Sequence, residues 1–238
     1  MKKILIIANW KMNPESLKKA KLLFNSIENK IKNVKNIEVV ICPSFIYLSS
    51  FKFQVSSFEL GAQDCFWENP PAGGGAYTGE ISPLMLKDLG IKYVIIGHSE
   101  RRRYLRETDE MINKKIKAVL AAKLKPILCI DSIFQIKSGL KGILEKDFKN
   151  LIVAYEPLSA IGTGKSYDWE KAKKMKNKIE KTLQKFFPQD WDNFQIIYGG
   201  SVDSKNAINY TKQSGFNGLL IGSASLNAKE FIKIINSF

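Results

Sequence analysis

Histidine is nearly absent from this chain: His98 is the only one among 238 residues. Cysteine is scarce, with Cys42, Cys65 and Cys129 far apart. Zinc sites need thiols and imidazoles grouped at short intervals, and no such group occurs. Neither a metal nor an organic cofactor is expected. An odd number of dispersed cysteines also argues against a disulfide framework, so a reducing, cytoplasmic setting is expected. Long apolar runs are missing as well. No stretch approaches the roughly 20 residues that span a bilayer, so no membrane association is expected. The run "ILIIA" at 4–8 follows a basic start but is too short for a signal-peptide core.

Acidic residues are few beside the basic ones. Asp and Glu number 23 against 37 Lys and Arg, a formal net charge of +14. Such an excess raises nucleic-acid binding as a function. The lysines are spread over most expected helices rather than gathered in one block, and no zinc-finger or RNP motif accompanies them. Nucleic acid is therefore not the expected partner, whereas a basic surface also attracts anionic metabolites.

What is present is a regular alternation, with a hydrophobic content of 45% that is enough for a full core. "KILIIAN" (3–9) reads as a strand. Asn13-Pro14 is expected to open the next helix, with Asn13 as its N-cap and Pro14 at its first position. Leu17, Ala20, Phe24, Ile27 and Ile31 then form an apolar stripe at helical spacing. Further strands follow at "IEVVIC" (37–42), "ELGAQ" (59–63), "KYVIIG" (92–97), "KPILCI" (125–130), "NLIVAYE" (150–156), "FQIIYGG" (194–200) and "GLLIG" (218–222). Helical patterns separate them, among them one from about Glu107 to Ala122. Another carries Ala172, Met175, Ile179, Leu183 and Phe186 on one side. The strands are near-continuous apolar runs, as strands buried on both faces require. Eight such units point to an α/β fold, a single-domain (β/α)8 barrel over residues 1–238. An open doubly wound sheet stays possible at this point, because periodicity does not prove closure.

In such barrels the active site lies at the carboxyl ends of the strands. Those ends carry Asn9 and Lys11, His98, Glu156, and the turns "YGGS" and "IGSAS". Glycine turns that open helices expose backbone N–H groups suited to phosphate. A carboxylate can take a proton beside a carbonyl, an imidazole can polarise the carbonyl oxygen, and an ammonium can stabilise an enediolate. Taken singly, the residues have plainer readings. Cys129 reads as packing, Glu100 and Arg101 as a structural charge network, and "GTGK" lacks the spacing of a P-loop.

The set as a whole resembles the triosephosphate isomerase family. The matching stretches are "ANWKMN" (8–13), "AYTGEISPLMLKDLG" (76–90), "IIGHSERR" (95–102), "AYEP" (154–157), "AIGTGK" (160–165), "YGGSV" (198–202) and "IGSASL" (221–226). They occur in family order along nearly the whole chain. The resemblance implies an aldose–ketose isomerase acting on triose phosphates in glycolysis and gluconeogenesis. Glu156 would be its base, His98 the electrophile and Lys11 the cation beside the substrate, with Asn9 next to it. Backbone groups of Gly162, Ser201, Gly222 and Ser223 would hold the phosphate, and "PLSAIGTGK" (157–165) would be a lid. A helix N-terminus at His98 would keep its ring neutral, an arrangement for which this family is itself the standard example.

The resemblance also implies a homodimer, in which Thr78 reaches the partner's site and Glu80 and Arg101 form an intersubunit ion pair. The loop "CFWENPPAGGGAYTGE" (65–80) is longer and richer in Pro and Gly than is usual in the family, and its Phe66 and Trp67 are costly to leave in water. Three other departures stand out: Ser159 in place of a lid tryptophan, Asp131-Ser132 in place of a glycine–glutamate pair, and Ser223 where a second glycine is common. They leave two alternatives open. One is another sugar-phosphate reaction on the same barrel. The other is a non-catalytic barrel that keeps its phosphate site as a sensor or scaffold, or binds nucleic acid.

Overall fold

The structure is a computed structural model that describes residues 3–31, 34, 36–52, 57–70, 75–161, 166–189 and 191–238. Eight parallel strands close on themselves in sequence order. They are β1 (Ile4–Asn9), β2 (Ile37–Cys42), β3 (Glu59–Ala62), β4 (Tyr93–Ile96), β5 (Lys125–Ile130), β6 (Ile152–Tyr155), β7 (Gln195–Tyr198) and β8 (Gly218–Ile221). Pairing of β1 with β8, Leu5 opposite Gly218 through Ala8 opposite Ile221, completes the barrel and rules out the open sheet.

Strand alternation divides the apolar residues into two layers. Leu5, Ile7, Val40, Ile95, Ile127, Cys129, Ile197 and Leu220 fill the barrel interior. Their neighbours Ile6, Ala8, Val39, Ile41, Val94, Ile96, Leu128 and Ile196 face the helices. Both faces of each strand are dry, which is why the sequence shows continuous apolar runs rather than alternation.

The helices are α1 (Leu17–Glu28), α2 (Phe45–Phe51), α3 (Pro83–Asp88), α4 (Ser99–Leu105), α5 (Asp109–Ala121), α6 (Phe134–Gly139), α7 (Trp169–Phe186) and α8 (Ala228–Ile235). On α1, Ala20, Phe24 and Ile27 are buried. The Phe24 ring stacks on Phe51 at 4.1 Å and meets Phe58 edge-on at 5.1 Å. Burying one such side chain contributes ~1.5–3 kcal/mol.

Three expectations are corrected. The cap of α1 is Ser16, whose hydroxyl accepts from the Lys19 N–H, while Asn13 and Pro14 precede the helix and share a cis peptide bond. Asn13 instead donates its side-chain amide to the Trp10 carbonyl. After β4 come two helices, not one. The first, "SERRRYL", has only Ser99 buried, so it offers no apolar stripe to read. It ends where Arg106 takes a left-handed φ of 56°. Finally, Phe186 is exposed at the end of α7, whose buried face is Ala172, Ile179 and Leu183. After β7 the chain turns through 204–206 into a helical segment that ends as a π-helix, Asn209–Gln213.

Candidate active site

The polar strand ends meet at one rim of the barrel. Asn9, Lys11, His98, Glu156, Ser201, Gly222 and Ser223 all line a single cavity of about 180 Å³. That is roughly the space of six waters, a fit for a small metabolite and well below the size of a drug-like ligand site. Gly162, the remaining expected phosphate contact, lies outside the described residues, as does 163–165 of the expected lid.

Lys11 enters the cavity from a locked and strained turn. Its φ is 54°, a conformation that costs a residue with a Cβ. Three hydrogen bonds hold it there: the Lys11 N–H donates to Asn9 Oδ1 at 3.0 Å, and its carbonyl accepts from Gln63 Nε2 at 2.8 Å and from Ser44 Oγ at 3.2 Å. Asn9 thus shapes the backbone that aims Lys11. The Lys11 ammonium pairs with Glu100 Oε1 at 2.5 Å. At Gly222 a Cβ would lie 3.3 Å from Lys11 Cε, so the last turn stays bare where the lysine crosses it.

His98 follows Gly97, whose φ of +70° turns the chain from β4 into α4. The imidazole caps α4: its Nδ1 accepts the Glu100 N–H at 3.2 Å. An accepting Nδ1 carries no proton, so the ring is neutral and Nε2 is the N–H donor. Nε2 points into the cavity, 3.1 Å from Glu156 Oε1. Arg102 braces the turn from behind, donating to the Gly97 carbonyl at 2.8 Å and pairing with Asp109 at 2.6 Å.

Glu156 is 1% exposed. Its backbone N–H donates to the Ile130 carbonyl at 2.8 Å, which continues the β5–β6 ladder past the last residue of β6. Its Oε2 accepts the Ser99 N–H at the start of α4, at 2.9 Å, where the helix end favours negative charge. Oε1 makes no hydrogen bond of regular geometry and is the oxygen facing His98. Cys129 lies beside this carboxylate. Burial first, and then the Glu156 charge, push its thiol well above the ordinary range, so it stays protonated and packs, as its sequence context suggested.

The two glycine turns complete the rim. Ser201 Oγ donates to the Ala160 carbonyl at 2.6 Å, tying the turn after β7 to the short 3-10 turn Leu158–Ala160 that follows Glu156. Ser223 opens a 3-10 turn, Ser223–Leu226, immediately after Gly222.

Two features go beyond the sequence reading of Glu100 and Arg101 as a structural charge network. Glu100 belongs to the cavity's charge system, within 2.5 Å of Lys11 and 3.6 Å of His98. Its place directly after "GHS" was the available signal. Behind the site, Asp64, Glu107, Lys115 and Arg101 form a buried cluster. Lys115 Nζ contacts Asp64 at 2.7 Å and Glu107 at 2.5 Å, and Arg101 contacts the same two acids at 2.8 and 2.6 Å. Burial pushes the Asp64 carboxyl up to about 6, although Lys115 and Arg101 oppose it. Burial acts on Glu107 too, but Lys115 and Arg101 outweigh it and hold that group below its usual value.

The residues expected at a subunit contact do not line this cavity. Thr78 and Glu80 are exposed, and within the chain Arg101 pairs with Asp64 and Glu107. Phe66 is buried and Trp67 half-buried, because the loop packs its own aromatics together. The Phe66 ring is 4.3 Å from Trp67 and 4.6 Å from Tyr77. Among the described residues, no helix is long and apolar enough to cross a membrane.

A (β/α)8 barrel with a carboxylate, a neutral imidazole and an ammonium around one small rim cavity defines a class: barrel enzymes equipped for proton transfer on a small anion. The particular family follows from comparison with known proteins. The sequence model of the family "Triosephosphate isomerase" matches residues 4–238. A triosephosphate isomerase of Thermoanaerobacter sp. (strain X514) is 42% identical over 253 residues, covering 99% of this chain and 100% of that protein. One of Dictyoglomus thermophilum is 39% identical, with both chains covered in full. The chain belongs to the triosephosphate isomerase family.

Proposed function

We propose that the protein interconverts dihydroxyacetone phosphate and D-glyceraldehyde 3-phosphate in glycolysis and gluconeogenesis, as a cytoplasmic homodimer of one barrel domain per chain. The observation that carries this reading is the facing pair Glu156 Oε1 and His98 Nε2, 3.1 Å apart in a cavity of triose size, in a chain matched by the family along its length.

Glu156 takes a proton from the carbon beside the substrate carbonyl. The electron pair moves onto the carbonyl oxygen, giving an enediolate, and the proton returns to the neighbouring carbon. His98, a neutral donor at Nε2, hydrogen-bonds the oxygen where charge develops and moves protons between the two oxygens. Lys11 supplies a fixed positive charge, and Glu100 holds it in place. The turns at Ser201 and at Gly222–Ser223 offer backbone N–H groups to the phosphate, with Gly162 assigned to the same task. Ser223 still carries the N–H that a glycine would, so that substitution leaves this role open to it.

Glu156→Gln tests the base. It preserves shape and removes the proton acceptor. Turnover of glyceraldehyde 3-phosphate is expected to fall by at least about a hundred-fold, the order of general-base contributions, with inorganic phosphate still bound. Undiminished turnover would remove Glu156 from this role. For the assembly, light scattering at micromolar concentration is expected to give twice the 26.9 kDa chain mass. A monomer would refute the dimer and the subunit roles of Thr78, Glu80 and Arg101.

A further inference from the structure

Four tyrosines pack together just outside the barrel wall, behind the rim. Tyr155 is the last residue of β6 and Tyr198 the last of β7. Tyr210 lies in the π-helical segment after β7, and Tyr167 immediately precedes Asp168, the N-cap of α7. The Tyr198 and Tyr210 rings stack at 3.8 Å. Tyr155 lies 6.5 Å from Tyr198 and 6.5 Å, edge-on, from Tyr167. The Tyr210 hydroxyl donates to the Tyr167 carbonyl at 2.6 Å. The set is a closed loop of contacts, with three of its four members almost fully buried.

Each contact reaches functional backbone. Tyr155 directly precedes Glu156, and its carbonyl accepts the Gly199 N–H at 2.8 Å, which joins the base to the turn after β7. Tyr198 floors that turn: a Cβ on Gly200 would lie 2.2 Å from the Tyr198 hydroxyl. Successive strand residues face opposite sides, so clamping Tyr155 outward aims Glu156 inward. A tyrosine ring does this at small entropic cost, having few rotatable bonds.

The contacts of Tyr167 divide cleanly. Its backbone carbonyl holds Tyr210, and through it Tyr198 and the glycine turn. Its side chain touches Tyr155 alone among the cluster. We propose that the Tyr167 side chain is a positioning element for the reaction: by packing its ring edge-on against Tyr155, it fixes the end of β6 and thereby the reach of Glu156 into the cavity. This rests on the reading of Glu156 as the base.

The test uses the full chain carrying Tyr167→Ala or Tyr167→Phe, with Glu156→Gln in parallel. Turnover, KM, inorganic-phosphate inhibition and thermal unfolding are measured. So is the isotope effect with dihydroxyacetone phosphate deuterated at the carbon that loses its proton. Tyr167→Ala is expected to lower kcat about ten-fold, since a displacement of an ångström costs on the order of a hundred-fold and this one is partial. The isotope effect should rise, because proton abstraction has become slower. Phosphate inhibition should change by less than about two-fold, because the carbonyl bond to Tyr210 survives the substitution. Tyr167→Phe keeps the ring that packs on Tyr155, so kcat within about two-fold of the parent chain is expected, and a loss as large as that of Tyr167→Ala would overturn the role of ring packing. Unchanged kcat with a lowered melting temperature would overturn the proposal and leave Tyr167 a stability residue. Parallel loss of kcat and phosphate affinity would also overturn it, as general loosening of the rim. Should Tyr167→Ala fail to fold, Tyr167→Leu, which keeps bulk and loses the edge-on ring contact, carries the same isotope-effect test. Full turnover in Glu156→Gln would refute the base itself, a different outcome from either of these.

Discussion

Replacing Gly97 by alanine separates two costs that the turn into His98 combines. The first is conformational. Gly97 has a φ of +70° and Gly90, at the end of α3, has +80°. For a residue with a Cβ this region costs ~1–2 kcal/mol, and both substitutions bear it. The second is steric, and only Gly97 bears that. A Cβ on Gly90 meets nothing within 4 Å, whereas one on Gly97 would lie 2.9 Å from Ile112 Cδ1 and 3.1 Å from Arg102 Nη2. Neither neighbour is free to retreat. Ile112 is fully buried, and Arg102 is fixed by Gly97, Asp109 and the Cys129 carbonyl. Overpacking of this kind costs ~1–3 kcal/mol. The gain from restricting the unfolded chain is common to both variants and cancels.

Gly97→Ala should therefore be less stable than Gly90→Ala by ~1–3 kcal/mol, or roughly 2–12 °C in melting temperature for a chain of this size. Scanning calorimetry on both variants measures the difference. Turnover should fall in Gly97→Ala, because the clash is relieved by moving the adjacent His98, and hold in Gly90→Ala. Equal melting temperatures would refute the steric argument, and equal turnover would show that the His98 position tolerates the shift.

The buried charge cluster gives two more expectations. The Asp64 carboxyl titrates at about 6 when folded, against an unperturbed value of 3.8. Its contribution to stability is complete below the unfolded value and is lost as pH rises through the folded one, because the unfolded chain gives up that proton first. Glu107, held below its ordinary 4.5, acts only in more acidic solution, so the window between pH 4.5 and 6 belongs to Asp64. Urea unfolding across that window should show stability falling with pH, and Asp64→Asn should flatten the slope; an unaltered slope in the variant would rule Asp64 out as its source. Lys115→Met leaves two buried acids with Arg101 as their one cation and should cost ~3–5 kcal/mol, the penalty for breaking a buried ion pair. A loss below ~1 kcal/mol by the same method would show that the cluster is balanced without the lysine.

The alternating layers were legible because buried parallel strands write themselves as apolar runs, and helices on their outer face write three- and four-residue spacing. Where that signal fails, the reading fails. The segment Ser99–Leu105 is helical without an apolar stripe; its cap, the imidazole of His98, is a residue seldom used that way. Asn13-Pro14 carries a standard helix-start signal, yet Ser16 takes the cap and the asparagine turns back to Trp10. The Ser16 hydroxyl, accepting from the Lys19 N–H, sets the start beyond Asn13-Pro14, and the helix buries Ala20, Phe24 and Ile27.

By itself the sequence determined the succession of strands and helices, the eight-unit repeat, the family and the polar residues at the strand ends, since each is encoded by residue type and spacing along the chain. Only the tertiary structure decided what lies between residues far apart in that chain. Closure of β1 on β8, the pairing of Lys11 with Glu100, the facing of Glu156 and His98, and the tyrosine cluster all depend on through-space distance. The buried cluster of Asp64, Glu107, Lys115 and Arg101 is the clearest case. Asp64, Glu107 and Lys115 are buried and Arg101 is two-thirds buried, so folding takes most of four charged side chains out of water and makes them one another's solvent.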